Sequence, residues 1–209
     1  RPGKTEAQIA AAVEQTVMSQ DCFRSFPTIA TTKGQTLHQH AFMNTLQEGD
    51  IFLLDAGAED PWHYAGDLSS SMPVSDKFTE QQAMIYNLHL KTFQAAVDTL
   101  APGVPFKQAH LNAATVLCEG MKEIGLMKGD PKEAAYSGAY AIFFPCGLGH
   151  MMGLDVHDME NLGEQYVGYP EGVKKSTQFG FKSLRLARPL EPGFVFTVEP
   201  GISFIPELI

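Results

Sequence analysis

The sequence predicts an α+β domain made of two related halves. Three segments carry apolar residues at helical spacing, three short segments have the composition of strands, and one turn–strand pattern occurs twice. A chain of 209 residues with 44% hydrophobic residues is long enough for one domain with a sizeable core. We therefore expect residues 1–209 to form a single domain.

The three helices are predicted from periodicity and from their ends. Residues 5–19 combine apolar residues at helical spacing with good helix formers. The second helix is predicted from Thr79, where Thr-Glu-Gln-Gln gives a capping box, to about Leu100, before Ala-Pro-Gly. The third begins after Pro105 and continues through HLNAATVLCEGMKEIG.

Three segments are predicted as strands: 51–57, 63–74 and 194–201. Glu-Asp-Pro lies between the first two, and this turn chemistry predicts a hairpin. Residues 160–187 are polar and contain glycines, which predicts a long surface loop.

The repeated pattern is seen when LQEGDIFLLDAG (46–57) is laid over LEPGFVFTVEPG (190–201) without a gap. Each segment is a turn that leads into a strand ending in a carboxylate and a glycine, so Asp55 coincides with Glu199. Chance is the alternative, because turn–strand units are common. The match otherwise predicts a pseudo-twofold domain with an acid at the same strand end in each half.

Composition limits the partners that we expect. A net charge of −9 argues against nucleic acid, whose recognition needs a basic face. No apolar run approaches the roughly 18 residues of a membrane span. Three cysteines are too few and odd in number for a disulfide framework, which favours a reducing, cytoplasmic location.

Asp55 and Asp67 are candidate metal ligands from the first half. A carboxylate at the end of a buried strand is costly unless it is paired or binds a cation. Because strand side chains alternate with period two, both carboxylates can face the same side of the hairpin. For either aspartate alone, a turn or cap role is the more common one.

His150, His157 and Glu199 are the candidates from the second half. His150 lies between glycines in GLGHMMGLDVHD, and Glu199 ends an apolar segment. A lone histidine in such a place is more often a core residue than a ligand. Oxygen ligands with one imidazole suit Mn, Co or Zn, and two such ions can hold a hydroxide and polarise a carbonyl.

Taken together, LLDAG, YAGD, GLGHMMGLDVHD and TVEPG resemble the motifs of the pita-bread metallopeptidases, in that family's order. The histidine-containing segment is more similar to the prolidase and aminopeptidase P branch than to methionine aminopeptidase. The resemblance implies a creatinase/aminopeptidase-like fold, in which a curved antiparallel sheet with pseudo-twofold symmetry is flanked by helices.

The resemblance also implies an activity and its cofactors. These are hydrolysis of the Xaa-Pro bond of dipeptides or peptide N-termini by a metal-bridging hydroxide, and two divalent ions, with Mn favoured and Co or Zn as alternatives. Asp55 would bind one ion, Asp67 would bridge both, and His150 and Glu199 would bind the second. The substrate would be a peptide with proline at its second position, and a homodimer is compatible with the family.

Three residues acquire catalytic roles by the same resemblance. Glu199 would also relay protons. His38 and His157 match histidines that contact the substrate near the scissile bond. Such imidazoles can stabilise the tetrahedral intermediate or protonate the leaving nitrogen.

Two departures from the family pattern stand against full activity. The family's fifth ligand is a glutamate on a strand beyond TVEPG, and Glu207 does not match it. We therefore expect a catalytic domain over 1–209 without the family's N-terminal domain, truncated at its C-terminus, weakly active and incompletely loaded with metal. Cys146 stands where this branch has a histidine. A non-catalytic pita-bread module that binds peptides or proteins is the alternative, and a metal-free hydrolase is disfavoured by the acidic ligands.

Overall fold

The structure is a computed structural model that describes all residues, 1–209. The chain divides into two compact units. The first contains residues 1–83 and 152–156, and the second contains residues 84–151 and 157–209. Each unit has its own hydrophobic core.

The first unit begins with helix α1 (Glu6–Met18), as predicted. Thr5 and Gln8 form a complete capping box, in which each side chain accepts the other residue's backbone N–H. A short 3₁₀ helix covers Gly34–Thr36. The strands of the unit are β1 (Phe23–Arg24), β2 (Ile29–Thr31), β3 (Ile51–Ala56), β4 (Ala58–Glu59) and β5 (Leu68–Pro73).

Strand β3 is the centre of an antiparallel sheet with the order β2-β3-β5. The predicted hairpin is confirmed, although its second strand is limited to β5. Between the strands the chain turns at Asp60, whose side chain accepts the N–H groups of Trp62 and Tyr64 at 2.9 and 3.0 Å. β1 and β4 form a separate two-stranded ladder. One face of the sheet and α1 enclose a small core of five buried residues: Ala10, Ala30, Leu46, Phe52 and Val74.

The helices α2 (Glu80–Val97) and α3 (Phe106–Glu123) agree with the predictions. Thr79 and Gln82 form the capping box that begins α2. Gly120 of α3 allows close packing, because a Cβ there would come within 2.1 Å of the Leu88 side chain. The second unit also contains α4 (Pro131–Ser137), α5 (Glu164–Gly168) and three 3₁₀ turns. None of the helices has both the length and the apolar composition needed to cross a bilayer.

A buried polar pair lies in the core of the second unit. His110 of α3 is fully buried, and its Nε2 lies 2.6 Å from the Tyr140 hydroxyl. The rings of Phe144 and Phe181 pack around His110 at centroid distances of 5.4 and 5.7 Å. Burial lowers the pKa of His110 to about 4, so the imidazole is neutral near pH 7.

Two predictions for the second unit were wrong. Residues 194–201 do not form a regular strand, because their only bridge joins Phe196 to Met151 and a strand needs several consecutive pairs. Residues 160–187 are not only a surface loop. They contain α5, and Leu184 and Leu186 are almost completely buried. The segment is polar overall, and its few buried apolar residues are too widely spaced to form a recognisable pattern.

The predicted repeat is seen in the backbone of both turns. Gly49 and Gly193 coincide in the aligned segments and have φ angles of 88° and 92°. At both turns, the residue after this glycine donates its N–H to the carbonyl two residues before the glycine, at 3.2 Å. Positive φ favours glycine, which explains why this residue coincides in the two segments.

The repeat extends to the residues that precede helices α1 and α3. The N–H of Gly3 donates to the Leu46 carbonyl at 2.9 Å, and the N–H of Gly103 donates to the Leu190 carbonyl at 2.8 Å. Their φ angles are 83° and 84°. Each unit thus joins a helix start to a turn by the same backbone contacts.

Candidate metal centre

The two aspartates of the first unit lie on neighbouring segments of the sheet. Asp55, in β3, is paired with Ile29 on one side and with Ser69 on the other. Asp67 directly precedes β5 and is two residues from Ser69, so alternation places it on the same side as Asp55. Both aspartates are half-buried. The two carboxylates therefore face the same side of the sheet.

Glycines bring the chain close together beside these aspartates. A Cβ at Gly57 would lie 1.8 Å from the Gly66 carbonyl oxygen and 2.3 Å from the Ser25 hydroxyl. The N–H of Gly66 donates to the Ala58 carbonyl at 2.8 Å. Any side chain at position 57 would therefore force apart the two segments that carry the aspartates.

His150 and Glu199 are held together in the second unit. The Nε2 atom of His150 lies 3.1 Å from Oε1 of Glu199. His150 is 5% exposed, whereas the side chain of Glu199 keeps 39% of its surface exposed. The backbone N–H groups of Thr197 and Glu199 donate to the carbonyls of His150 and Leu148 at 2.9 and 2.7 Å. These main-chain contacts hold the two backbone segments together without a regular strand.

Thr197 connects the same two residues through its hydroxyl group. Its Oγ1 accepts the N–H of His150 at 3.0 Å and donates to Oε1 of Glu199 at 2.6 Å. Gly149 makes this approach sterically feasible, because a Cβ there would lie 2.1 Å from the Thr197 carbonyl oxygen. Thr197 was not among the residues predicted from the sequence. Its position two residues before Glu199 in an extended segment was the available signal.

The geometry of His150 fits a metal ligand. Its Nδ1 lies 3.0 Å from the Met151 carbonyl oxygen, which can accept only from a protonated Nδ1. A neutral imidazole with its proton on Nδ1 keeps its lone pair on Nε2, where a cation held beside Glu199 would bind. Two ligands that bind one ion at about 2.0–2.2 Å lie roughly 3 Å apart, as Nε2 and Oε1 do here. The donors present therefore fit a divalent cation.

His157 lies beside His150 and contacts an arginine that the sequence analysis missed. The two imidazole rings are 4.4 Å apart and nearly perpendicular. Arg185 donates from one Nη1 to Nδ1 of His157 at 2.8 Å and to Glu160 at 2.6 Å. Because Arg185 can only donate, Nδ1 accepts and the proton of a neutral His157 is on Nε2. Arg185 lies in the segment predicted as a surface loop, and no sequence motif around it indicates a functional role.

His38 belongs to the first unit and is exposed. It follows the 3₁₀ helix, and both Leu37 and His38 have positive φ angles, 46° and 53°. Non-glycine residues seldom adopt this conformation, and it concentrates at functional sites. The proposed substrate role of His38 stays a prediction.

Cys146 is half-buried at the start of the segment that leads to His150. Burial raises the pKa of its thiol, and the negative charge of Glu199 raises it further, while Arg185 acts in the opposite direction. The group is therefore a neutral thiol near pH 7. It cannot supply the proton-accepting nitrogen of a histidine at this position.

Comparison with known proteins agrees with these features. The family model described as metallopeptidase family M24 matches residues 1–208. The chain is 42% identical over 165 residues to a Xaa-Pro dipeptidase from Mus musculus, covering 79% of this chain and 32% of that protein. It is 30% identical over 210 residues to a Xaa-Pro aminopeptidase from Escherichia coli, covering 99% of this chain and 43% of that protein.

Solved structures extend the similarity to the fold. The aminopeptidase PepP of Pseudomonas aeruginosa is 31% identical, with a TM-score of 0.80 over 97% of this chain and 42% of that chain. Proline aminopeptidase P II from Yersinia pestis has a TM-score of 0.82 over the same shares. The chain thus spans about a third to two fifths of the length of these relatives, and it has the predicted pita-bread fold. It belongs to metallopeptidase family M24.

Proposed function

We propose that the protein containing this chain is a metal-dependent exopeptidase that hydrolyses the Xaa-Pro bond of dipeptides or of peptide N-termini. Relatives from mouse and Escherichia coli are a Xaa-Pro dipeptidase and a Xaa-Pro aminopeptidase. The observation that carries the proposal is the His150–Glu199 pair, with Nε2 and Oε1 3.1 Å apart and Nδ1 of His150 held 3.0 Å from the Met151 carbonyl oxygen.

The proposed cofactors are two divalent ions. Asp55, Asp67, His150 and Glu199 would hold them, with Mn favoured and Co or Zn as alternatives for this set of oxygen and imidazole donors. A zinc-substituted Escherichia coli aminopeptidase P is among the similar solved structures. When bound, such ions act as Lewis acids and lower the pKa of water.

The side chains of the second unit would move protons and orient the peptide. Glu199 is kept in one orientation by the Thr197 hydroxyl, so its carboxylate can accept and return a proton at a fixed place. Arg185 keeps the His157 proton on Nε2, which makes that nitrogen a donor toward a peptide oxygen or the leaving nitrogen. His38 would supply the second imidazole.

The test uses the complete protein, freed of metal by chelation and then supplied with Mn, Co or Zn. Release of alanine from Ala-Pro and from Ala-Pro-Ala would be measured, with Ala-Ala as the control substrate. We expect metal-dependent cleavage before proline and little cleavage of Ala-Ala. The two proline substrates distinguish a dipeptidase from an aminopeptidase. Absence of metal-dependent cleavage of both would falsify the proposal.

A non-catalytic pita-bread module that binds peptides is the second candidate, and Cys146 is the observation that favours it. Its pKa is raised, so a neutral thiol occupies the place of a histidine in the peptidase branch. Metal analysis of the complete protein separates the two candidates. A pure binding module needs no metal, so stoichiometric Mn, Co or Zn would count against it.

A further inference from the structure

Glu6 is a buried carboxylate in the first turn of α1 that binds two distant parts of the chain. It is 0% exposed. Its Oε1 accepts the N–H of Thr32 at 2.8 Å, the Thr31 hydroxyl at 3.1 Å and the Asn44 side-chain amide at 2.9 Å, while its Oε2 accepts the N–H of Asn44 at 2.9 Å. A second, longer contact comes from the Thr32 hydroxyl at 3.3 Å. Burial of a carboxylate without such donors is very costly.

The residues bound by Glu6 flank a loop, residues 33–43, on both sides. Thr32 directly precedes the loop and Asn44 directly follows it. The backbone adds one more contact at the same place, because the N–H of Glu6 donates to the Asn44 carbonyl at 3.0 Å. One carboxylate therefore closes the base of the loop.

His38 lies in the middle of this loop, where the backbone is strained. Leu37 and His38 are consecutive residues with positive φ, and neither is glycine. Such conformations persist only where the surrounding structure enforces them. Within residues 33–43 the chain has one 3₁₀ turn and no strand that could do so. The contacts with Glu6 are the constraint that both ends of the loop share.

The second unit shows that the start of the helix does not require this carboxylate. Phe106 begins α3 as Glu6 begins α1, and its N–H donates to the Arg188 carbonyl at 3.0 Å, which repeats the contact between Glu6 and Asn44. Phe106 is likewise 0% exposed but packs edge-on against Phe196 at 5.4 Å. The equivalent helix start in the second unit is therefore built with an apolar residue. The carboxylate of Glu6 is not needed to begin the helix, and its contacts go to the residues that flank the loop.

We propose that Glu6 is a positioning residue that holds loop 33–43 closed and thereby fixes His38 in its strained, exposed conformation. The proposal deepens the proposed function and rests on it in one respect, since it takes His38 as a substrate contact. Glu6 acts through His38 and does not itself touch the substrate.

The first experiment measures the loop directly and does not depend on activity. Glu6→Gln in the complete protein keeps the size of the side chain but replaces one acceptor oxygen by an NH₂ group facing N–H donors. The partly buried N–H groups of Thr32 and Asn44, at the base of the loop, are then left without a good acceptor. We therefore expect the amides of residues 33–43 to exchange hydrogen roughly tenfold faster, while exchange in α3 is unchanged. Glu14→Gln is the matched control, because Glu14 lies on the same helix and pairs with Arg24 at the surface.

The second experiment asks whether the effect passes through His38. Cleavage of Ala-Pro is measured for the wild type, Glu6→Gln, His38→Ala and the double variant. Positioning predicts that Glu6→Gln lowers kcat/KM roughly tenfold in the wild type but changes it little in the His38→Ala background. A general loss of structure would lower kcat/KM equally in both backgrounds. Asn44→Ala, which removes only the side-chain amide, replaces Glu6→Gln if the latter does not fold.

The outcomes separate the two proposals. Unchanged exchange in residues 33–43 overturns the role of Glu6, whatever the activity is. Faster exchange with equal losses in both backgrounds overturns positioning through His38. A wild type without Xaa-Pro cleavage overturns the proposed function, whereas hydrogen exchange still decides whether Glu6 holds the loop.

Discussion

The segments 46–57 and 190–201 have similar sequences but hold their carboxylates in different ways. Both begin with the same glycine turn, at Gly49 and Gly193. The first continues as the central strand of a sheet, paired with β5 along its whole length and with β2 at Leu53, Leu54 and Asp55. After its turn, the second makes a single bridge, at Phe196, and the N–H groups of Thr197 and Glu199 donate to the carbonyls of His150 and Leu148.

This difference shows that one sequence pattern can place an acid by backbone pairing or by side-chain contacts. Asp55 is fixed because strand β3 is fixed. Glu199 stays half-exposed, and its orientation depends on Thr197 and His150. We therefore expect the second segment to be more sensitive to the loss of a single side-chain hydrogen bond.

The largest expected effect comes from replacing either carboxylate. Asp55→Asn and Glu199→Gln should each lower kcat/KM for Ala-Pro by roughly 10³-fold, because each removes a proposed ligand and Glu199→Gln also removes the proton acceptor. Metal content and steady-state kinetics of the complete protein measure both effects. Glu191→Gln is the control, since this exposed residue pairs only with Arg188. An active Glu199→Gln variant would contradict the equivalence of the two acids.

The next effect tests the side-chain support of Glu199. Thr197→Val keeps the shape of the side chain but removes the hydroxyl that contacts His150 and Glu199. Loss of a residue that orients a metal ligand typically weakens metal binding roughly 10- to 100-fold. Titration of the metal-free protein with Mn measures the change, and Ser70→Ala, an exposed hydroxyl of β5, is the control. Equal affinities for the two variants would show that Glu199 needs no such support.

Buried titratable groups should make the second unit the first to respond to acid. The pKa of His110 is lowered from 6.5 to about 4, so the fold favours the neutral imidazole. The unfolded chain takes up a proton at higher pH, and stability is therefore lost as pH falls from about 6.5 toward 4. At pH 5 the loss from this group should be about 2 kcal/mol, which urea unfolding at pH 7 and pH 5 measures.

Glu6, in the first unit, loses its contribution to stability at lower pH than His110 begins to do. Burial alone would raise the pKa of Glu6, but hydrogen bonds from Thr32, Asn44 and Thr31 hold it below its usual 4.5. Its contribution is lost only as pH falls through that lowered value. When the pH is lowered to 5, the protection of amides from hydrogen exchange should decrease in α3 while that of α1 is retained. The double variant His110→Phe/Tyr140→Phe should remove most of the loss, and if it does not, another group is responsible.

The smallest expected effect concerns Arg185. Arg185→Met keeps much of the length of the side chain but removes the Nη1 group that donates to both His157 and Glu160. We expect kcat/KM to fall by about tenfold while metal content is unchanged, because the proton of His157 is no longer directed to Nε2. Kinetics with metal analysis of the same samples tests this. If metal content also fell, Arg185 would instead help to orient the proposed metal ligand His150.

Much of this architecture could be predicted from local signals. The helical spacing of residues 5–19, the capping box at Thr79 and the Pro105 start predicted all three long helices, and strand composition with the Glu-Asp-Pro turn predicted β3 and the hairpin. The short strands β1, β2 and β4 could not be predicted, because two or three residues carry no periodic pattern. The strand expected at residues 194–201 failed because pairing depends on the partner segment as well as on the sequence itself.

The sequence by itself determined which chemical groups are available for the proposed site. It contained the two aspartates, the histidines at 150 and 157, and Glu199 in motifs that predicted the family and its fold. Only the tertiary structure decided how these groups are oriented. The tautomer of His150, the Thr197 bridge and the contact of Arg185 with His157 join residues up to 47 positions apart. Such contacts follow from chain folding, since no local pattern specifies which distant donor will face which acceptor.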